Sequence, residues 1–182
     1  MELFKSTRLK IGNNILRRKC SRIKRIVYYS NISKIKSVGI VWDSSNPDEF
    51  ACLSRFHQKM QDRNIDVRVI GFFNGKELPD KYTAVRYLTC IRKNEINLFY
   101  IPNTTDANNF INKKFDILID INFKKVFPLY YILKLSVAGF KVGIFEHEDL
   151  NSPFELMMEI KKPVNTDNYL NEVIHYLEMI NS

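Results

Sequence analysis

The chain reads as an α/β protein: a three-layer, Rossmann-like parallel sheet of about five strands, preceded by a basic N-terminal helical arm. Three observations predict it. Short apolar runs rich in β-branched residues recur along the chain, as strands covered on both faces require. Amphipathic stretches at helical spacing separate them, and that alternation builds a parallel sheet. The cations gather ahead of the first apolar run. Residues 1–36 hold eleven Lys or Arg against one acid, Glu2, a net charge of +10; the whole chain carries +8, so residues 37–182 carry −2.

Residues 2–28 read as helix, interrupted near Gly12-Asn13-Asn14. Leu9, Leu16, Cys20, Ile23 and Val27 fall on one stripe, with Arg17, Arg18, Arg22 and Arg25 beside or opposite it. Residues 30–37 connect this arm to the first strand, Val38 to Trp42. Asn46 is placed to cap the next helix, with Pro47 at its first position and Asp48 and Glu49 where the helix dipole favours negative charge. Phe50, Leu53, Phe56 and Met60 give that helix its apolar face.

Asp66 to Phe73 is the second strand, ended by Asn74-Gly75. Residues 75–95 are the least legible part; Val85 to Ile91 reads as an added edge strand or an irregular excursion. Asn97 to Ile101 reads as the third main strand, stopped by Pro102, with a short helix from Asp106 to Asn112. Phe115 to Ile121 is the fourth strand. Pro128 opens a helix through Ala138 that is apolar almost all round and therefore buried, with Gly139 closing it in a left-handed conformation. Lys141 to Phe145 is the fifth strand, and a helix from Asp167 to Asn181 ends the sequence.

At 182 residues the chain supports one core, so the expected organisation is an arm, 1–36, and a single α/β domain, 37–182. No apolar run of about 18 residues is present, which argues against a membrane-spanning helix. The basic N-terminus is followed by no apolar core, so it is not expected to be a secretory signal. Cys20, Cys52 and Cys90 are odd in number and far apart, which fits a cytoplasmic protein.

The segments WDSSNPDEF (42–50), DVRVIGFFN (66–74), LFYIPN (98–103), FDILIDIN (115–122) and PLYYILKLSVAGFKVGIF (128–145) resemble a family of uncharacterised α/β proteins from Bacteroidota. The likeness covers about residues 1–181. These are framework segments: the resemblance implies the fold and carries no activity, cofactor or catalytic residue.

Candidate chemistry follows the fold. Parallel sheets bind ligands beyond the carboxyl ends of their strands, where strand order reverses. Asp43, Ser44 and Ser45 end the first strand and Asp120 and Asn122 the fourth; if these strands are neighbours, the two carboxylates converge on a small molecule or a divalent cation. That would make the chain a hydrolase or transferase. The plainer reading is that both aspartates tie loops, and no nucleophile or third ligand stands at telling spacing. Glycine-rich phosphate motifs are absent, and Asp43, Asp48 and Glu49 would repel an anion at the first corner. His57 and His175 lie within helices. His147, flanked by Glu146 and Glu148, is a weak metal candidate alone. Neither a catalytic set, a metal site nor a cofactor is expected.

The arm is the stronger signal. Ten net positive charges repel one another unless an anion is near. Arg8, Lys10, Arg17, Arg18, Lys19, Arg22, Lys24 and Arg25 are the candidate polyanion-binding residues, with RNA or a ribonucleoprotein as first partner. An acidic protein and an anionic membrane surface are the others, the membrane second to RNA because the arm has no Trp and a single Phe. Tyr28 and Tyr29 are placed to stack on bases or, more simply, to pack. A third reading makes the chain an interaction module joining a larger assembly through the arm and residues 75–95.

Overall fold

Residues 4–145, 152–160 and 165–180 are described by a computed structural model. Among them, six parallel strands form one sheet in the order β3-β2-β1-β4-β5-β6. They are β1 (Ser37–Asp43), β2 (Asp66–Phe73), β3 (Leu88–Arg92), β4 (Ile117–Asp120), β5 (Phe140–Ile144) and β6 (Leu156–Met158). The helices are α1 (Lys5–Cys20), α2 (Glu49–Gln61), α3 (Asp80–Thr83), α4 (Thr105–Asn112), α5 (Phe127–Leu135) and α6 (Thr166–Met179).

The central strand shows why three layers form. Val38 to Trp42 are all buried in β1, which pairs with β2 on one side and β4 on the other. Val38, Ile40 and Trp42 pack with Leu53, Phe56 and Met60 of α2 and Tyr169, Leu170 and Val173 of α6. Val41 points the other way, into a second core with Leu16 of α1, Phe110 of α4 and Ile132 of α5. Period-two alternation on a strand buried on both faces thus divides the protein into two apolar cores.

Local details depart from the expectations in instructive ways. Asn46 does not cap α2; the helix starts at Glu49, and Asp48 at its cap position makes no side-chain cap bond. Glu49 turns inward instead. Its carboxylate accepts from Trp42 Nε1 at 2.8 Å and from Thr166 Oγ1 at 3.1 Å, joining β1, α2 and α6. Burial raises its pKa, and these hydrogen bonds oppose the rise. The helix opened by Pro128 ends at Leu135, and Gly139 has no positive φ. A Cβ on Gly139 would stand 2.1 Å from Tyr28 Cε1, so the position is kept open for a ring.

The run Asn97 to Ile101 is not a strand. Asn97 Oδ1 accepts from Phe99 N at 2.9 Å and Ile101 N at 3.1 Å, and Tyr100 takes a left-handed backbone, φ 61°. This is a tight turn nucleated by an asparagine side chain. It is closed by an isolated antiparallel bridge between the flanking residues Ile96 and Pro102. The third strand is β3, from the illegible stretch, and β6 adds a sixth.

The arm has two parts. The first, α1, runs unbroken through Gly12-Asn13-Asn14, with Asn13 Nδ2 donating to Leu9 O at 2.8 Å. Gly12 is buried where α1 crosses the 97–101 turn and the start of α5; a Cβ there would meet Phe99 O at 2.5 Å and the Phe127 ring at 3.0 Å. The second part, 21–36, is a strap without regular structure. Arg25 donates to Ala138 O at 2.7 Å and pairs with Glu155. Tyr28 OH donates to Asp116 at 2.7 Å, Tyr29 meets the edge of Phe140, and Ile32 and Ile35 are buried in the core. Removing residues 1–36 would therefore open the core as well as remove charge.

Candidate functional site

The sheet order places β1 beside β4, at the point where strand order reverses. Val41 pairs with Asp120, so Asp43 and Asp120 share a face two residues apart in register. Each carboxylate is nevertheless engaged by its own loop. Asp43 accepts from Ser45 N at 3.1 Å, and Asp120 accepts from Asn122 N at 3.0 Å and from Asn122 Nδ2. Asn122 stitches the two strands together: Nδ2 donates to Val41 O at 3.2 Å and Oδ1 accepts from Asp43 N. Asp43 and Asp120 line different cavities.

The serines divide in the same way. Ser44 is buried; its N–H donates to Phe72 O at 3.1 Å, its carbonyl accepts from Tyr82 OH at 3.2 Å, and its Oγ has no hydrogen-bond partner among the described residues. Ser45 is exposed and its Oγ accepts from Asn74 N at 3.4 Å. The corner is thus a set of ties between the ends of β1 and β2. Among the described residues no three His, Cys, Asp or Glu side chains gather as a metal site would. His57 stacks on Tyr87 with ring centroids 4.0 Å apart; Glu146, His147, Glu148 and Asp149 lie outside the described residues. Burial pushes the Cys52 and Cys90 thiols up to about 11, far from a reactive thiolate.

The cations of α1 and of the strap up to Arg25 differ in their surroundings. Lys10, Arg17, Arg18, Arg22 and Lys24 are exposed and have no carboxylate partner among the described residues. Helical spacing puts Lys10 and Arg17 opposite the buried Gly12–Leu16 face. Arg25 belongs to the interior: its side chain and that of Glu155 are each 16% exposed. Lys19 Nζ lies 5.5 Å from the Tyr131 ring of α5. Arg8, one turn before Gly12, and Lys5, a further turn back, sit on the inward face.

That inward face opens onto a cleft of about 840 Å³ at the carboxyl edge of the sheet. Lys5 and Arg8 line it from α1, Asp43 and Ser45 from the end of β1, and Phe72 and Asn74 from the end of β2. Lys93 and Ile96 follow β3, Tyr100 comes from the asparagine-held turn, and Lys125 to Pro128 lead into α5. Sequence reasoning missed Lys93 and Lys125 as partners of Arg8. Lys93 cannot be placed until β3 is recognised, and no spacing rule links residues 8, 93 and 125.

The sequence profile of a family of unknown function, DUF6913, matches residues 6–180, which takes in α1, the strap and the whole sheet. The chain belongs to that family. No curated protein matches it. Among the described residues no helix is long and apolar enough to cross a membrane.

Proposed function

We propose that this DUF6913 chain is a non-catalytic α/β protein of the bacterial cytoplasm, in a member of the Bacteroidota, that holds RNA or a ribonucleoprotein through its basic arm. The observation that carries this reading is the outward face of α1 and the turn after it. Lys10, Arg17, Arg18, Arg22 and Lys24 are exposed together there, with no carboxylate partner among the described residues. A cluster of unmatched cations on a rigid surface gains free energy when phosphates displace its counterions. Lys10, Arg17 and Arg18 make the outward face of α1 polar, which favours a phosphate backbone over the acyl boundary of a membrane, although Ile26 and Val27 stand exposed in the strap that follows. Tyr28 bonds to Asp116 and Tyr29 meets the edge of Phe140, so both rings have partners within the fold and the proposed contact is mainly electrostatic.

The test is retention of RNA by the full chain purified from its native cell, with and without nuclease. The triple substitution Arg17→Ala, Arg18→Ala, Arg22→Ala is expected to lose the RNA while keeping the wild-type circular dichroism spectrum. RNA carried equally by the triple variant would end the reading.

A further inference from the structure

A second cationic surface lies on the other side of α1, and its shape differs from that of the outward face. Lys5, Arg8, Lys93 and Lys125 line the cleft from three separate parts of the chain, Lys125 with its Nζ 3.8 Å from the Tyr130 ring, and Asp43 is the one carboxylate among its described lining residues. A solvated charge run belongs to a single element; here α1, the turn after β3 and the approach to α5 supply the cations together. Arg8 and Lys93 have no carboxylate partner among the described residues.

The cleft is also preorganised. Gly12 seats α1 against Phe99 O and the Phe127 ring, which fixes the backbone of Arg8 one turn away. Tyr100 holds a left-handed conformation at the wall, which is strained for a non-glycine residue and persists only where the surroundings impose it. Asn97 imposes it through two backbone hydrogen bonds. Between the cations stand apolar walls: Leu9, Phe72, Ile96, Phe127 and Pro128. A cavity of this size, apolar with a few convergent charged groups, has the form of a small-molecule site. Its position beyond the carboxyl ends of β1 and β2, next to the β1–β4 reversal of strand order, is close to where such folds take ligands.

We propose that this cleft binds a nucleoside diphosphate, with its phosphates on Arg8 and Lys93 and its ring against the apolar wall. No glycine-rich loop brings backbone amides to the phosphates, so side-chain cations carry the charge, and arginine can do so with paired donors. Asp43 and Asn74 face the polar remainder of the ligand as hydrogen-bond partners for hydroxyl and amino groups. The site is separate from the RNA-binding face and stands without it.

Calorimetric titration of the full chain with ADP, GDP, CDP and UDP tests the assignment, with pyrophosphate and adenosine as probes of charge alone and ring alone. At least one nucleoside diphosphate is expected to bind with a Kd of about 0.1 mM or tighter, and at least about tenfold better than pyrophosphate or adenosine. Arg8→Ala with Lys93→Ala should weaken it by about tenfold or more, whereas Arg17→Ala with Arg18→Ala should change it by less than about twofold. If the first pair disturbs folding, Lys93→Glu alone serves, since that side chain is exposed. Absence of binding by all four nucleotides at about 1 mM overturns the proposal. So does equal affinity for pyrophosphate, or equal loss in the Arg17/Arg18 variant. RNA retention depends on the opposite face, so either reading can fail while the other holds.

Discussion

Lys141, on β5, is 2% exposed, and its Nζ donates to Leu133 O at 2.6 Å at the carboxyl end of α5. Burial, reinforced by the nearby positive charge of Arg25, lowers its pKa from 10.5 to about 7; Glu155 and Cys20 act in the opposite direction and Lys134 with Arg25. Between pH 7 and 10.5 the unfolded chain therefore binds a proton that the folded chain has released. Stability must rise with pH across that window, by up to about 1.4 kcal/mol per pH unit. Burial raises the thiol pKa of Cys20, Cys52 and Cys90, which acts with the opposite sign from about pH 9 upward. The clear interval is thus about pH 7 to 8.5. Urea midpoints should climb there in the native chain and stay flat in Lys141→Met; an equal climb in both would exclude Lys141 as the cause. Its neighbour Glu155 accepts from Lys141 N at 2.8 Å and pairs with Arg25. Glu155→Gln leaves that guanidinium half-buried without its counter-charge, and a loss of about 1–3 kcal/mol in the same assay is expected. An unchanged midpoint would make the Arg25 anchor dispensable.

At the scale of elements, α1 carries a test with an unusual sign. Gly→Ala in an exposed helix interior normally gains about 0.5–1 kcal/mol. At Gly12 the added methyl group meets a backbone carbonyl at 2.5 Å and an aromatic ring at 3.0 Å. Gly12→Ala should therefore lose about 1–3 kcal/mol by thermal or urea unfolding; a gain would mean that α1 does not sit against the 97–101 turn. The elements also show what pattern alone conveys. The runs that became β1, β2, β4 and β5 were legible because consecutive buried residues between polar ends specify a strand covered on both faces. Asn97 to Ile101 has similar composition yet folds as a turn, because Asn97 bonds its own following amides and Leu98 is left 70% exposed. The Asn-x-x-x-x-Pro frame was the available signal. β3 was ambiguous because its burial does not alternate: Leu88 and Ile91, three residues apart, are buried on opposite faces of a five-residue edge strand, and Thr89 is exposed. β6 has three residues, too few for any period to register.

For the whole molecule, the sequence separates a +10 segment from a −2 body, yet counting charges cannot say where they point. Folding assigns Arg25 to the interior, Arg8 to the cleft and Lys10, Arg17, Arg18, Arg22 and Lys24 to solvent. The candidate corner was legible as residues but not as geometry: β1 and β4 are neighbours, while Asn122 ties them and separate loops engage Asp43 and Asp120. No spacing in one dimension encodes such ties. The proposed role of the exposed cations of the arm is to grip phosphates. Fluorescence anisotropy of a structured RNA, titrated with the full chain across a series of salt concentrations, tests it most directly. The native protein should show log K falling linearly with log salt, and Arg17→Ala, Arg18→Ala, Arg22→Ala should reduce that slope by about 2–3. A native slope near zero, or one that the triple substitution leaves unchanged, would contradict the account.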